Sequence, residues 1–247
     1  MKKFTKMWAI AACALFAGTA AVNAEDYTWK FVTAGDATTY AIRSDGSLWS
    51  WGWNEKGQGG NGVSERTATP TLADGNRVWK KAVGGKAYGF FLAEDGSLWA
   101  AGTHEGGVQG TNDGIDHKVL TRIGTDNDWA DMACSRFWGY SGFAIKTNGT
   151  LWAWGKNSAG QLGIGNTQAQ TAPVQVGADM DWKQVAAGCS SVLALKTDGS
   201  LWGWGFNMYS ELFGHEGKQL SPVRLGSETD WEQVVVIDFR AYAVKKD

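Results

Sequence analysis

The residues that could carry catalytic chemistry are sparse in this chain of 247 residues. Its three histidines, His104, His117 and His215, lie far apart in different repeats or strands, and none has neighbours typical of a hydrolase or metal site. Acid–base and metal chemistry both need such groups to converge. The sequence therefore predicts a protein that is not an enzyme and that uses no cofactor and no metal.

A different set of residues could bind a partner. Twelve of the 15 tryptophans follow a repeat and Trp8 lies in an apolar leader, which leaves Trp53 and Trp138 outside both. Further aromatic, methionine and arginine side chains fall in the same class of loops: Tyr88, Phe137, Tyr140, Phe206, Met208, Tyr209, Phe239 and Arg240. Exposed aromatic rings beside an arginine are typical of protein-binding hot spots, where each buried ring contributes about 2 kcal/mol. This set is the predicted partner-binding site, and the alternative for any single ring is packing beneath its own turn.

The repeat is visible as four near-copies of one decapeptide. They are DGSLWSWGWN (Asp45–Asn54), DGSLWAAGTH (Asp95–His104), NGTLWAWGKN (Asn148–Asn157) and DGSLWGWGFN (Asp198–Asn207). A second marker, a tryptophan that opens a WKQVAAG-like segment, recurs about every 50 residues at Trp29, Trp79, Trp129, Trp182 and Trp231. The two markers define four complete units and a fifth that reaches only its first two segments.

Each unit is predicted to form four short strands, named a to d. Strand a is WKQVAAG-like, strand b LALKT-like, strand c SLWGWG-like and strand d APVQVG-like. The Asp-Gly or Asn-Gly pair between b and c predicts a two-residue hairpin, because glycine adopts the positive φ of such a turn. Strand c is apolar on both faces, so each unit must be covered on both sides. The prediction is an all-β fold, a β-propeller of about four to five four-stranded antiparallel blades whose last unit has strands a and b only.

Hairpin geometry assigns the connections to two rims. In an antiparallel meander the a–b and c–d connections lie at one end of the blade, and the b–c and d–a connections lie at the other. The b–c turn is nearly constant, whereas the a–b connections read GDATT, GKAYG, SRFWGYSG, GCSSV and DFRA. Variable loops on one rim of a rigid repeat scaffold are where binding is usually found. The predicted partner-binding residues therefore share the variable end.

The pattern W..V..G, a short apolar strand and then DGSLW.WG.N..GQLG.G resembles the repeat of the regulator of chromosome condensation family. The clearest copies are Asp181–Gly205 for the first half and Leu151–Gly165 for the second. The resemblance covers residues 25–247 and implies a propeller, which in this family typically has seven blades. The family's nucleotide exchange and chromatin binding are not carried over, because no functional residue beyond the repeat matches.

Four and a half units leave the closure of the propeller open. Closure into a small ring is expected, because an open arc would leave two strand edges unpaired. An open arc and pairing with another copy of the chain are the alternatives.

The first 24 residues are predicted to be a signal peptide ahead of a single repeat domain, residues 25–247. MKKFTKM is basic, an apolar stretch follows, and Val22–Ala24 is a small-residue cleavage site. The apolar stretch is too short to span a bilayer, so an integral membrane protein is not expected. The predicted location is the periplasm or the medium, and lipoprotein anchoring at Cys13 is the less favoured alternative.

Charge and cysteine content narrow the choice of partner. The leader holds three of the 23 basic residues and none of the 25 acidic ones, so the mature chain has a net charge of −5. An acidic chain does not attract phosphate backbones, which predicts no nucleic-acid partner. Cys134 and Cys189 fall near equivalent positions of neighbouring units, where a disulfide is one option and two buried thiols are favoured.

The favoured function is a non-enzymatic, exported protein-binding module that uses the aromatic rim. The first alternative is a lectin-like propeller that binds a glycan with a loop aromatic and an asparagine (Asn54, Asn157 or Asn207) in each blade. The loop residue beside that asparagine is Trp53, Thr103, Lys156 or Phe206, and such inequivalent sites favour a single asymmetric partner. The second alternative is self-association through the incomplete last unit.

Overall fold

The fold is known from a computed structural model that describes residues 28–207 and 217–246. These residues form five antiparallel sheets, each built from consecutive strands in sequence order. Four sheets have four strands and the fifth has two. The predicted all-β propeller blades, with a last unit of strands a and b, are thus confirmed. The predicted signal peptide lies outside the described residues.

The sheets are named blades 1 to 5 in chain order. Blade 1 holds β1 (Trp29–Ala34), β2 (Thr38–Arg43), β3 (Leu48–Gly52) and β4 (Thr67–Asp74). Blade 2 holds β5 (Trp79–Gly84), β6 (Tyr88–Ala93), β7 (Leu98–Gly102) and β8 (His117–Arg122). Blade 3 holds β9 (Trp129–Cys134), β10 (Ser141–Lys146), β11 (Leu151–Gly155) and β12 (Gln170–Gln175). Blade 4 holds β13 (Trp182–Ala187), β14 (Ser191–Lys196), β15 (Leu201–Phe206) and β16 (Lys218–Arg224), and blade 5 holds β17 (Trp231–Ile237) and β18 (Arg240–Lys245).

Helix is nearly absent from the described ranges. A short 3-10 helix, Glu105–Gly107, lies between β7 and β8. Within those ranges, no helix has the length and apolar character needed to cross a bilayer.

The recurring decapeptide is explained by the hydrogen bonds of the b–c turn. In blade 1, Asp45 Oδ1 accepts hydrogen bonds from the backbone N–H and the hydroxyl of Ser47, and Ser47 Oγ accepts one from the indole N–H of Trp49. Equivalent triplets are Asp95/Ser97/Trp99, Asn148/Thr150/Trp152 and Asp198/Ser200/Trp202. The acid or amide, the hydroxyl and the tryptophan therefore recur together because each one positions the next.

The b–c turn is one residue longer than predicted. The N–H of Arg43 donates to Ser47 O at 3.0 Å and the N–H of Gly46 donates to Arg43 O at 2.9 Å, so the residues between Arg43 and Ser47 form the loop. Gly46 has a φ of 86° and occupies the left-handed position that ends a three-residue hairpin. The two-residue prediction was wrong because the Asp45 side chain caps Ser47 and places the glycine last in the loop.

Neighbouring blades pack through the second tryptophan of strand c. Trp154 of blade 3 donates its indole N–H to Val108 O of blade 2, and Trp204 of blade 4 donates to Gln161 O of blade 3, both at 2.8 Å. Blade 2 has Ala101 at this position, and Tyr40 of blade 1 compensates because its hydroxyl donates to Gln58 O at 3.0 Å. Both tryptophans and Tyr40 are fully buried, so each blade depends on the preceding one for its core.

The two end faces of the stack are open. On blade 5, Tyr242 and Val244 are 54% and 55% exposed, although their equivalents in blade 2, Phe90 and Leu92, are fully buried. On blade 1, Val32 of β1 is 56% exposed. The expectation of a closed ring is therefore wrong for the described residues, because blades 1 and 5 do not cover each other's apolar faces.

The two cysteines of the repeat domain are buried in the structure. Cys134 and Cys189 are not joined by a disulfide. The favoured prediction of two buried thiols is confirmed, and Cys134 contributes to the core between blades 2 and 3.

Candidate functional site

The a–b and c–d connections of each blade lie together, as hairpin geometry predicts. In blade 1 the N–H of Trp53 donates to Ala37 O at 2.7 Å, and Thr38 Oγ1 donates to Trp53 O at 2.5 Å. The matching backbone bonds in blades 2, 3 and 4 are Thr103 to Ala87, Lys156 to Tyr140 and Phe206 to Ser190. This end of the molecule is called the variable rim. At the opposite end the N–H of Trp79 donates to Gly46 O, which joins the d–a and b–c connections in a constant rim.

The a–b connection of blade 3 crosses the variable rim to reach blade 1. Arg136 Nη2 donates to Ala34 O at 3.3 Å, and the backbone N–H of Phe137 lies close enough to the carboxylate of Asp36 to offset part of the rise that burial causes in the pKa of that carboxyl. The side chains of Phe137 and Trp138 are 46% and 61% exposed. The connection, called the crossing loop (residues 135–140), therefore presents two aromatic rings to solvent while its backbone is tied to another blade.

The crossing loop has a strained backbone. Phe137 and Tyr140 have φ values of 51° and 45°, in the left-handed region that costs a residue with a side chain about 1–2 kcal/mol. Ser135 and Ser141 hold the base of the loop, because the N–H of Ser141 donates to Ser135 Oγ and the N–H of Ser135 donates to Ser141 O. Strain that is over-determined by its surroundings is frequent at binding sites.

Lys86 of blade 2 connects the crossing loop to a groove on blade 1. Its ammonium lies 3.5 Å from the centre of the Trp138 ring, which is a cation–π contact. Lys86 also lines a groove of about 700 Å³, together with Asp36, Ala37, Trp51, Trp53, Arg66 and Thr67. That volume is within the range of ligand-binding clefts. The two tryptophans outside the repeat, Trp53 and Trp138, thus belong to one continuous surface.

Trp51 is the one repeat tryptophan that contributes to this groove. It stands where Trp154 and Trp204 stand in their blades. Within residues 28–207 and 217–246 no sheet packs on this face of blade 1, and the Trp51 ring is only partly buried and lies 6.1 Å from the Trp29 ring. Its two equivalents donate their indole N–H groups to a carbonyl of the preceding blade. Within residues 28–207 and 217–246, the indole N–H of Trp51 has no acceptor.

The groove combines an apolar wall with positive charge. Among the described residues, neither Arg66 nor Lys86 forms an ion pair with a carboxylate. Burial raises the pKa of the Asp36 carboxyl, and the N–H of Phe137 and the charge of Arg136 offset this only in part. The lining thus carries two cations, Arg66 and Lys86, against one carboxylate, Asp36, which gives it a formal excess of positive charge.

The structure places the predicted partner-binding residues at different depths. Trp53 and Trp138 are brought together by Lys86, which lines the groove with Trp53 and lies over the Trp138 ring, and Phe137 is exposed beside Trp138 on the crossing loop. Phe206 is partly buried at the end of β15. In blade 5, Phe239 of the a–b connection and Arg240, the first residue of β18, are exposed. Met208 and Tyr209 lie outside the described residues.

Tyr88 and Tyr140 are corrections to that set, because neither is exposed. Tyr88 is fully buried and Tyr140 is 4% exposed, with their rings 5.9 Å apart. The Tyr88 hydroxyl donates to Ser135 O at 2.5 Å, and burial raises the pKa of Tyr88 well above its usual value and that of Tyr140 to about 12. Both rings lie between blades 2 and 3 and support the crossing loop from below, so they do not meet a partner.

Of the nine residues that line the groove, only Trp53 belongs to the predicted partner-binding set. Trp51 follows the repeat and was assigned to the core, because the sequence pattern does not show whether another blade packs on blade 1. Lys86 and Arg66 have no motif, and Lys86 is notable only for its place in a variable a–b connection. Contacts between different blades, such as Lys86 with Trp138, leave no local pattern in a sequence.

The histidines are less isolated than the sequence indicated. His104 Nδ1 lies 2.6 Å from Asp116 Oδ1, and His117 Nε2, at the start of β8, lies 2.8 Å from Asp113 Oδ2. His117 uses the same Nε2 towards Thr111, so it cannot relay a proton from that hydroxyl to the carboxylate as a triad would. No cluster of three or more His, Cys, Asp or Glu side chains suited to a metal ion occurs within the described ranges.

Two family models match this chain, and both describe the same type of repeat. The family model described as the Regulator of chromosome condensation (RCC1) repeat matches residues 45–92 and 148–195. A second model of the same description matches residues 29–58.

Curated relatives and solved structures agree with the repeat. The chain is 30% identical over 163 residues to the Ultraviolet-B receptor UVR8 of Arabidopsis thaliana, spanning 65% of this chain and 37% of the receptor. It is 27% identical over 150 residues to Protein RCC2 of Homo sapiens, spanning 60% of this chain and 19% of that protein. The chain thus spans well under half the length of these relatives.

The structural neighbours show the same fold. Human WBSCR16 has a TM-score of 0.78 at 20% identity, covering 90% of this chain and 59% of that one. Yeast RCC1 (Prp20), solved with Kap60 bound, has a TM-score of 0.76 at 21% identity, covering 92% and 56%. Prp20p of Saccharomyces cerevisiae, reported with its binding properties to Gsp1p and histones, has a TM-score of 0.74 at 20% identity, covering 89% and 56%.

Proposed function

Because this chain is an RCC1-like repeat protein, we propose that it is a non-enzymatic, exported protein-binding module that binds its partner with the variable rim. The observation that carries the proposal is the crossing loop. It holds Phe137 and Trp138 out to solvent on a strained backbone that is fixed to blade 1. A loop that is rigid before binding loses little conformational freedom on binding, and each ring that becomes buried contributes about 2 kcal/mol.

Protein binding also agrees with the neighbours of the fold. Yeast RCC1 was solved with Kap60 bound, and Prp20p was reported with binding to Gsp1p and histones. The surface proposed here consists of loop residues that the repeat does not fix. The partners of these neighbours are therefore not assigned to this chain. An exported location rests on the predicted signal peptide, residues 1–24.

A glycan-binding role has less support. Asn54 and Asn157, which would bind a sugar, are 3% and 0% exposed. Asn54 Oδ1 accepts the N–H of Gly59 at 2.7 Å, and Asn157 Oδ1 accepts the N–H of Leu162 at 2.9 Å. Both asparagines use their side-chain amides to hold the c–d connection, which leaves them buried and away from a ligand.

The test is affinity capture with residues 25–247 as bait, from the envelope and medium of the native organism. Trp138→Ala should lose the captured protein, because it removes the most exposed ring of the crossing loop. Met180→Ala is the matched control, since Met180 is also 61% exposed but lies at the constant rim. Unchanged capture by a folded Trp138→Ala bait, judged by circular dichroism, would refute the proposal.

A further inference from the structure

We propose that the groove of blade 1 binds an acidic, extended segment of the partner protein. An apolar side chain of that segment packs on Trp51 and Trp53, a carboxylate lies between Arg66 and Lys86, and a backbone carbonyl accepts the indole N–H of Trp51. This inference rests on the proposed function and names the chemistry that one part of the variable rim recognises.

The equivalent tryptophans of blades 3 and 4 indicate which kind of acceptor suits the indole of Trp51. At the same position, Trp154 and Trp204 each donate to a backbone carbonyl in the c–d connection of the preceding blade, Val108 O and Gln161 O. Trp51 has the same strand geometry, because its blade pairs strands b and c in the same register as blades 3 and 4. A loop or extended segment that presents a carbonyl there would reproduce a contact already made twice in this chain.

The charge of the groove selects an acidic segment. Arg66 and Lys86 are both cations of its lining, and neither has a carboxylate partner among the described residues. Asp36, the one acidic side chain of the lining, forms no ion pair with either cation among the described residues. Burial raises the pKa of its carboxyl, and the charges of Arg136 and Lys86 offset this only in part. A carboxylate on the incoming segment would supply the missing counter-charge, and charge-assisted hydrogen bonds are the stronger ones.

The shape of the groove selects an extended segment with an apolar residue. Trp51 and Trp53 lie on the same strand-to-loop stretch, and both line the groove together with Gly52 between them. The groove has the volume of a few residues and opens on the crossing loop through Lys86. A segment bound here would therefore run towards Trp138, where the rest of the partner is proposed to bind.

The test uses two synthetic peptides on the mature chain. The first is acetyl-Gly-Asp-Leu-Asp-Gly-amide, and the second has asparagine in place of both aspartates. Nuclear magnetic resonance of the tryptophan indole N–H groups reads out the contact with Trp51, whose signal is assigned from Trp51→Phe. We expect the acidic peptide to shift the Trp51 signal saturably and to bind about tenfold tighter than its amide counterpart.

Variants that neutralise one cation of the groove test its part in binding the acidic peptide. Arg66→Gln and Lys86→Gln should each weaken binding of the acidic peptide about three- to tenfold and leave binding of the amide peptide unchanged. Lys183→Gln, an exposed lysine of β13 remote from the groove, is the control and should change neither.

Four outcomes would overturn the inference. Equal affinity of the two peptides would show that the groove does not recognise a carboxylate. Binding of the acidic peptide without a shift of the Trp51 signal would show that no carbonyl contacts the Trp51 indole. A dimer in sedimentation that Trp51→Ala dissociates would show that a second copy fills the groove. If the captured partner binds Arg66→Gln and Trp51→Ala baits normally but not Trp138→Ala, this inference fails while the proposed function stands.

Discussion

The ammonium of Lys86 lies 3.5 Å from the centre of the Trp138 ring, although the two residues belong to different blades. Lys86 also lines the groove of blade 1, so this one contact makes three blades into one surface. The surface is not repeated around the molecule, because the crossing loop occurs in blade 3 alone of the described a–b connections. An asymmetric surface on a repetitive scaffold suits one specific partner.

The loss of stability on removing a repeat tryptophan should depend on how deeply its blade buries the ring. Trp204→Ala should lower the free energy of unfolding by about 3–5 kcal/mol, because it empties the core between blades 3 and 4 and leaves Gln161 O without its donor. Trp51→Ala should cost about 1–2 kcal/mol, because its ring is only partly buried. Urea unfolding followed by circular dichroism measures both, and equal losses would mean that the face of blade 1 is covered.

The strain of the crossing loop can be measured by comparing two variants. Phe137→Ala and Phe137→Gly both remove the ring, but only glycine adopts a φ of 51° without a steric cost. Phe137→Gly should therefore be more stable than Phe137→Ala by about 1 kcal/mol. Thermal or urea unfolding of the pair gives the difference, and an alanine variant as stable as the glycine one would show that the loop relaxes.

Acid should weaken the c–d connection of blade 2. Burial alone would raise the pKa of Asp116, but hydrogen bonds from the backbone and ring of His104, with Lys56 nearby, outweigh it and lower the pKa to about 2. A carboxyl whose pKa is lower in the folded state than in the unfolded chain stabilises the fold above its unfolded pKa of about 4. That stability is lost as pH falls from about 4 to 2.

Asp116→Asn tests this assignment. The stability difference between the wild type and Asp116→Asn should be constant above pH 5 and should shrink between pH 4 and 2, because the variant has no carboxylate to protonate. Unfolding curves across that range measure it. A difference that stays constant down to pH 2 would show that the hydrogen bonds from His104 do not stabilise the ionised carboxyl.

The fold could be read from the sequence because its contacts are local and repeated. Asp198, Ser200 and Trp202 recur at fixed spacing since each hydrogen bonds to the next within one turn, and the same is true in three other blades. The length of the turn was misjudged because a glycine in the left-handed region suits both two- and three-residue hairpins.

The candidate site was predictable only in part. The variable rim followed from strand alternation, and Trp53 and Trp138 stood out because the repeat does not require them. The burial of Tyr88 and Tyr140 could not be predicted, because the sequence pattern assigns both residues to loops although their side chains pack between blades 2 and 3. Ring closure failed for a similar reason, because it depends on the angle between blades, which no local pattern encodes.

The most direct measurement of the central claim is hydroxyl-radical footprinting of the chain with and without its captured partner. Trp138 and Met180 are equally exposed, at 61%, on opposite rims, and both side chains oxidise readily. If the variable rim is the docking surface, oxidation of Trp138 falls when the partner binds and oxidation of Met180 stays the same. Protection of Met180 with Trp138 unchanged would place the partner on the constant rim and contradict the account.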